Sequence, residues 1–356
     1  MNMAFTASDV SKAVFLAVIF VITVVGNGLV VYVLTKFRKQ LLKNRPTYQF
    51  ILNIVLSDLI VGIVTIPFEF TRELLEEWIF GTALCKIIEF IEIAVSGTAV
   101  CTHALIAFDR YRSLARPYLP KMERRIVRQM ITLSWLVPAI MSSPYLYMFE
   151  VQEIDSKIVC TPNAIPIDWL DKLYEAIEFV AVLLIPFVVL CWCYFHVTLI
   201  MWGRSPLVGV ENFPAAPHSV ISQNKKRVTR TSGLVAAAFI VCWLPTFVLS
   251  FVRIVSGTES VHRGQVLHEI SMFGIFINEA INPIIYCAFD RSLKARIRLH
   301  TICTLHTESV ESSQNATRTI NTAAEHTLTQ MDVRNLDPTL PSDQPNHERR
   351  RHTLNT

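Results

Sequence analysis

The sequence predicts an all-α membrane protein: a seven-transmembrane helix bundle, a short amphipathic eighth helix and a tail without a packed core. Three observations predict it. The 356 residues are 52% hydrophobic and only 17% charged, whereas soluble chains carry about 25% charged residues. The apolar residues fall in seven blocks, each long enough for a helix to cross roughly 30 Å of hydrocarbon. Basic residues gather in alternate connections between the blocks. Helix is required within them because lipid offers backbone N–H and C=O groups no partner.

The blocks cover residues 13–35, 48–71, 82–112, 126–148, 173–201, 228–255 and 264–288. The third and fifth exceed a perpendicular crossing, which indicates tilt or extension beyond the bilayer. Lys36, Arg38, Lys39, Lys43 and Arg45 follow the first block, and Arg110 through Arg128 supply the basic residues after the third. Arg204, Lys225, Lys226, Arg227 and Arg230 lie between the fifth and sixth, and Arg291, Lys294, Arg296 and Arg298 follow the seventh. The positive-inside rule places these connections in the cytoplasm and the N-terminus outside, as for a multi-pass plasma-membrane protein. Because each basic group flanks a membrane-length block, a nucleic-acid surface is excluded.

The expected domains are a short outer segment 1–12, the bundle 13–288, the amphipathic helix 289–300 lying on the inner membrane surface, and a disordered tail 301–356. The first block reads as an uncleaved anchor, since no basic leader or cleavage pattern precedes it. Cys303 is a palmitoylation candidate or a plain thiol. Thr307, Ser309, Ser312 and Ser313 lie in a Ser/Thr-rich tail that kinases could phosphorylate and arrestin could read through the added charge. The pattern Asn315-Ala316-Thr317 falls on the cytoplasmic side and should stay unglycosylated.

Short motifs then accumulate in one order. Gly26-Asn27 is in the first block and Leu56-Ser57-Asp58-Leu59 in the second. Trp78 and Cys85 flank the start of the third, and Asp109-Arg110-Tyr111 ends it. Trp135 lies in the fourth, and Pro186 and Tyr194 in the fifth. Cys242-Trp243-Leu244-Pro245 is in the sixth, and Asn282-Pro283-Ile284-Ile285-Tyr286 closes the seventh. With this ordered set, residues 13–300 resemble the class A (rhodopsin-like) G-protein-coupled receptors, most closely the peptide-binding ones. The resemblance implies a receptor that activates a heterotrimeric G protein and is not an enzyme.

Residue by residue, the resemblance implies that Arg110 is held by Asp109 at rest and meets the G protein when active. Tyr111, Tyr194 and Tyr286 would join it at that end, with Phe239, Trp243, Asn282 and Pro283 as the switch. Pro186, Pro245 and Pro283 each remove a backbone donor and bend a helix, so Phe239 and Trp243 would move with a pivot of the sixth. Asp58, Asn278, Glu279 and Asn282 are polar residues within spans, where a carboxylate costs roughly 2.5–3.5 kcal/mol and turns inward to partners. A sodium ion is the one cofactor the resemblance suggests for them. Three positions depart from the pattern: Lys225 replaces a locking acid, Glu279 a small residue, and Ala99 a hydroxyl of the ion site.

Of the eight cysteines, only Cys85 and Cys160 fall on the outer, oxidising side, so they are expected to pair.

The ligand should enter from outside, between the upper halves of the helices. Glu92 lies two turns below Cys85 on nearly the same face, with Glu89 one turn above it. Glu69 and Glu178 reach the same region from the second and fifth blocks, and Trp243 and Phe247 complete the expected pocket. Glu73, Glu76, Glu77, Glu150, Glu153, Asp155, Asp168 and Asp171 crowd the outer loops and helix ends, and most of them read as a solvated negative rim. Buried carboxylates need a partner or a proton, so the expected ligand is a short basic peptide. The alternatives are an amine with Glu92 as its counter-ion, or a transporter or channel, for which no inverted repeat is visible.

Overall fold

The computed structural model describes residues 7–43, 45–115, 120–154, 156–163, 167–202, 223–256 and 265–298. The tail residues Cys303, Thr307, Ser309, Ser312, Ser313 and Asn315, together with Arg116 and Asp155, lie outside them, as does the side chain of Lys225. The chain divides into a unit of residues 1–297 and a unit of residues 298–356, and the bundle belongs to the first.

Among the described residues, seven long helices form that bundle. They are α1 (Ala7–Lys36), α2 (Pro46–Leu75), α3 (Gly81–Ala115), α4 (Arg124–Ser142), α5 (beginning at Asp168 and ending at Met201), α6 (Gln223–Ser256) and α7 (Gln265–Phe289). Six of them are long and apolar enough to cross a membrane on those criteria alone. The other, α4, has 19 residues, about 28 Å of rise, and opens on Arg124, Arg125 and Arg128, which lower its average hydropathy.

Several boundaries differ from the sequence expectation, among them the start of α6, five residues early at Gln223. Residues 7–12 continue α1 rather than forming a loose segment. α4 stops at Ser142, not at residue 148, because Pro144 has no N–H to continue the ladder, and a separate turn, Tyr145–Met148, follows. α5 begins five residues early, at Asp168. Among the described residues two π turns are also present, Val61–Thr65 in α2 and Phe179–Leu184 in α5. Each comes just before a proline, Pro67 or Pro186. The missing proline N–H frees the carbonyl four residues back, and a wider turn absorbs the mismatch.

The bundle is apolar outside and polar at its centre. Val14, Val18, Val21 and Val25 form an exposed stripe along α1, and Leu133, Leu136 and Ile140 another along α4. Asn27, Asp58, Asn278 and Asn282 are each no more than 1% exposed. Such an arrangement suits hydrocarbon as solvent, because polar groups then gain only by facing one another. Trp135 donates to the Asn53 side-chain carbonyl at 2.8 Å, and Asn53 donates to Thr102 at 2.8 Å and Ser134 at 3.2 Å. This set joins α2, α3 and α4.

Between α4 and α5 lies an antiparallel hairpin, β1 (Phe149–Ile154) and β2 (Lys157–Pro162). At the other end of the bundle, residues 291–298 form α8, within the expected amphipathic segment. Asp290 caps it, accepting from the backbone N–H of Ser292 at 2.8 Å and Leu293 at 3.1 Å, and Tyr48 of α2 donates to the same carboxylate at 3.0 Å.

Candidate functional site

Cys85, in the opening turns of α3, is bonded to Cys160 of β2, as the sequence predicts. The bond ties the hairpin to α3. Trp78 reinforces it, donating its backbone N–H to Ile158 at 2.6 Å and its indole N–H to Gly81 at 2.9 Å. Its ring clusters with those of Phe68 and Phe80.

Below the disulfide the acids are not all unpaired. Arg72 of α2 is ion-paired with Glu69 one turn back and with Glu89 of α3, the latter at 3.4 Å. Its guanidinium also lies 3.4 Å from the sulfur of Met272 on α7. Nothing in the linear pattern singles out Arg72, which reads there as one more charge at a helix end. Glu92 makes no ion pair among the described residues; its electrostatic neighbours include Glu69, Glu89, Arg72 and Glu279. Glu178 does not join this group. It accepts a hydrogen bond from the Tyr145 hydroxyl at 2.5 Å, and its neighbours are Glu175 and Arg253. The convergence of four acids expected from sequence is thus two clusters, one between α2 and α3 and one on α5.

The rim also departs from a uniformly solvated picture. Lys12 bridges Glu73 and Glu269 at 3.5 Å and 2.9 Å, and Lys157 pairs with Glu76. Asp171 is buried.

Trp243 is buried 5.7 Å from the Phe239 ring. Phe247 packs against Phe179 and Phe187 of α5, at 5.6 Å and 4.5 Å between centroids. These two switch and pocket residues therefore share the α5–α6 side.

At mid-bundle, Asn282 donates to Asp58 at 3.0 Å, and Asn27 donates to the backbone carbonyl of Glu279 at 3.1 Å. Glu279 is buried and is an electrostatic neighbour of both Asp58 and Glu92. One side-chain oxygen on each of Asp58, Asn278, Glu279 and Asn282 is buried without a hydrogen-bond partner among the described residues. Buried polar atoms are normally satisfied, so four such oxygens in one region suit a cation or ordered water. No group of three or more His, Cys, Asp or Glu residues is placed to hold a metal among the described residues; this set offers two carboxylates and two amides.

At the end of the bundle opposite the disulfide, Arg110 is bonded to Asp109 and also to the hydroxyl of Thr47, which itself donates to Asp109 at 2.6 Å. Thr47 is missed by sequence reading because it sits 62 residues from Asp109, brought there by the start of α2. Tyr111 turns toward α5, its ring 4.9 Å from Trp192. Tyr194 and Tyr286 line a small cavity nearby, and Pro283 packs against Gly26 of α1.

Comparison with known proteins agrees with this geometry. The profile of the 7 transmembrane receptor (rhodopsin family) matches residues 26–286. Galanin receptor 2a of Danio rerio is 28% identical over 284 residues, covering 78% of this chain and 74% of its own. The [Phe13]-bombesin receptor of Bombina orientalis is 24% identical over 315 residues, covering 85% and 78%. The QRFP-like peptide receptor of Branchiostoma floridae is 24% identical over 321 residues, covering 88% and 82%. The matched span runs from Gly26 through Tyr286 and so takes in every motif of the seven helices, and the chain belongs to the rhodopsin family of seven-transmembrane receptors.

Proposed function

We propose that this receptor binds an extracellular peptide bearing a basic group at its disulfide end and activates a heterotrimeric G protein at its Arg110 end. The observation that carries the ligand class is Glu92, a carboxylate inside the helical region with no cation beside it among the described residues other than the already engaged Arg72. A guanidinium or amine supplies the missing partner. The names of the three relatives favour a peptide over the amine alternative. Placing the disulfide end outside follows from the oxidising environment a disulfide needs and from the positive-inside rule.

Glu69 and Glu89 act in this reading through Arg72, which holds them, while Glu92 meets the ligand. Glu178, Trp243 and Phe247 form the opposite wall. The Ser/Thr-rich tail serves receptor kinases and arrestin, and membrane lipid covers the exposed apolar stripes. The test is a screen of peptide and amine libraries on cells expressing the receptor with a promiscuous G protein. Activation by neutral or acidic ligands alone would defeat the proposal.

The central oxygens of Asp58, Asn278, Glu279 and Asn282 are proposed to hold sodium. Binding to the folded state alone stabilises it, so sodium should raise the thermal unfolding midpoint of the solubilised receptor and Glu279→Gln should flatten that rise. A native midpoint indifferent to sodium, compared with a large organic cation at equal ionic strength, would end this assignment.

A further inference from the structure

His103 belongs to none of the motifs described above. It lies on α3 between Ala99 and Arg110 and is 3% exposed. One face of its ring stacks on Phe239 of α6, with centroids 4.5 Å apart and planes 21° from parallel. Its Nδ1 is 2.7 Å from the carbonyl oxygen of Ala99. A carbonyl can only accept, so Nδ1 carries the proton, and in the neutral ring Nε2 is left with a bare lone pair. That Nε2 is buried and has no hydrogen-bond partner among the described residues.

The ring borders a small cavity lined also by Ile51, Ile106, Tyr194, Ser232 and Tyr286 among others. The Tyr286 hydroxyl is likewise buried and unpartnered. His103 on α3, with an unpaired acceptor, and Tyr286 on α7, with an unpaired donor, thus line one small cavity. A water molecule in a protein interior needs polar partners of this kind, usually two to four of them, and Ser232 and Tyr194 supply further hydroxyls.

We propose that His103 is a positioning residue of the transducing half, joined to Tyr286 by a hydrogen bond carried through one water molecule in this cavity. The link holds α7 to α3 in the conformation where Arg110 is bound to Asp109 and Thr47. The ring face does a second job by seating Phe239, one turn from Trp243. The same side chain therefore touches the aromatic switch on α6 and the tyrosine on α7. Motion of α6 that unstacks Phe239 frees the ring to turn, breaks the link to Tyr286 and lets α7 shift.

Two substitutions separate the two contacts. His103→Phe keeps an aromatic face against Phe239 but removes the acceptor; His103→Gln keeps an acceptor and removes the aromatic face. Agonist-free nucleotide exchange, measured on the full-length receptor reconstituted with a promiscuous G protein, is expected to rise severalfold in His103→Phe and less in His103→Gln. In detergent, His103→Phe and Tyr286→Phe should each lower the unfolding midpoint by about 2–4 °C. Tyr286→Phe should add nothing further in the His103→Phe background, because neighbours in one hydrogen-bond network are not additive. Basal exchange in His103→Phe equal to the native rate, or additive midpoint shifts in the double variant, would overturn the proposal. The midpoint measurement needs no G protein, so it decides the link even if no coupling partner is found.

Discussion

Glu92→Gln is expected to weaken a basic peptide agonist by more than about tenfold. Removing one member of a buried charge pair typically costs about 2–5 kcal/mol, and Glu92 is the carboxylate of the α2–α3 cluster that Arg72 does not engage. The formal charge of Glu69, Glu89, Glu92 and Arg72 together is negative, so the cluster still draws a cation through its low-dielectric walls. Arg72 sets how much it draws: with two of the three acids already bridged, one further basic group is enough. Glu153 is an exposed residue on β1, so Glu153→Gln should change potency little and mainly at low salt. Dose–response curves at matched surface expression check both. Potency unmoved by Glu92→Gln would mean that the ligand's charge is met elsewhere, with Glu178 the next residue to test.

Gly274→Ala is expected to cut surface expression sharply, with Gly28→Ala as the neutral comparison. A Cβ built on Gly274 would lie 2.4 Å from the backbone carbonyl oxygen of Cys242, where α7 crosses α6. A backbone atom cannot rotate away as a side chain can, so the two helices must separate. Overpacking of this kind costs typically about 1–3 kcal/mol, and the close approach lets α6 and α7 pack along their length. A Cβ at Gly28 meets nothing within 4 Å. Cell-surface labelling of tagged receptors measures the outcome, and near-native expression of Gly274→Ala would show that the helices can part without loss. Because Trp243 follows Cys242 directly, any receptor that does reach the surface should also show altered basal signalling.

Much of this molecule is legible from residue order because the membrane imposes simple rules. A helix must be about 20 apolar residues long, charges must lie at its ends, and polar residues within it must face inward. The seven helices and the inward placement of Asn27, Asp58 and Asn282 follow from such rules, which act within one helix or between a helix and its solvent; the disulfide follows from the oxidising outer side, and the Asp109–Arg110 contact is implied by the family resemblance. The helix ends are less legible. Pro144 stops α4 early and Pro67 and Pro186 come with π turns, effects that depend on how local strain is shared with the packing around them.

By itself, the sequence determined the number of the helices and which residues must avoid lipid. Only the tertiary structure decided which of those residues meet. Arg72 reaches Glu89 across 17 residues, Thr47 reaches Asp109 across 62, and Glu178 joins Tyr145 rather than Glu92. Each pairing depends on the rotation and depth of two helices relative to one another, and hydrophobic spacing leaves both open. Interhelical packing of small residues sets them, as at Gly274 and at Gly26 against Pro283, so the partners of a buried charge become known only when the helices are assembled.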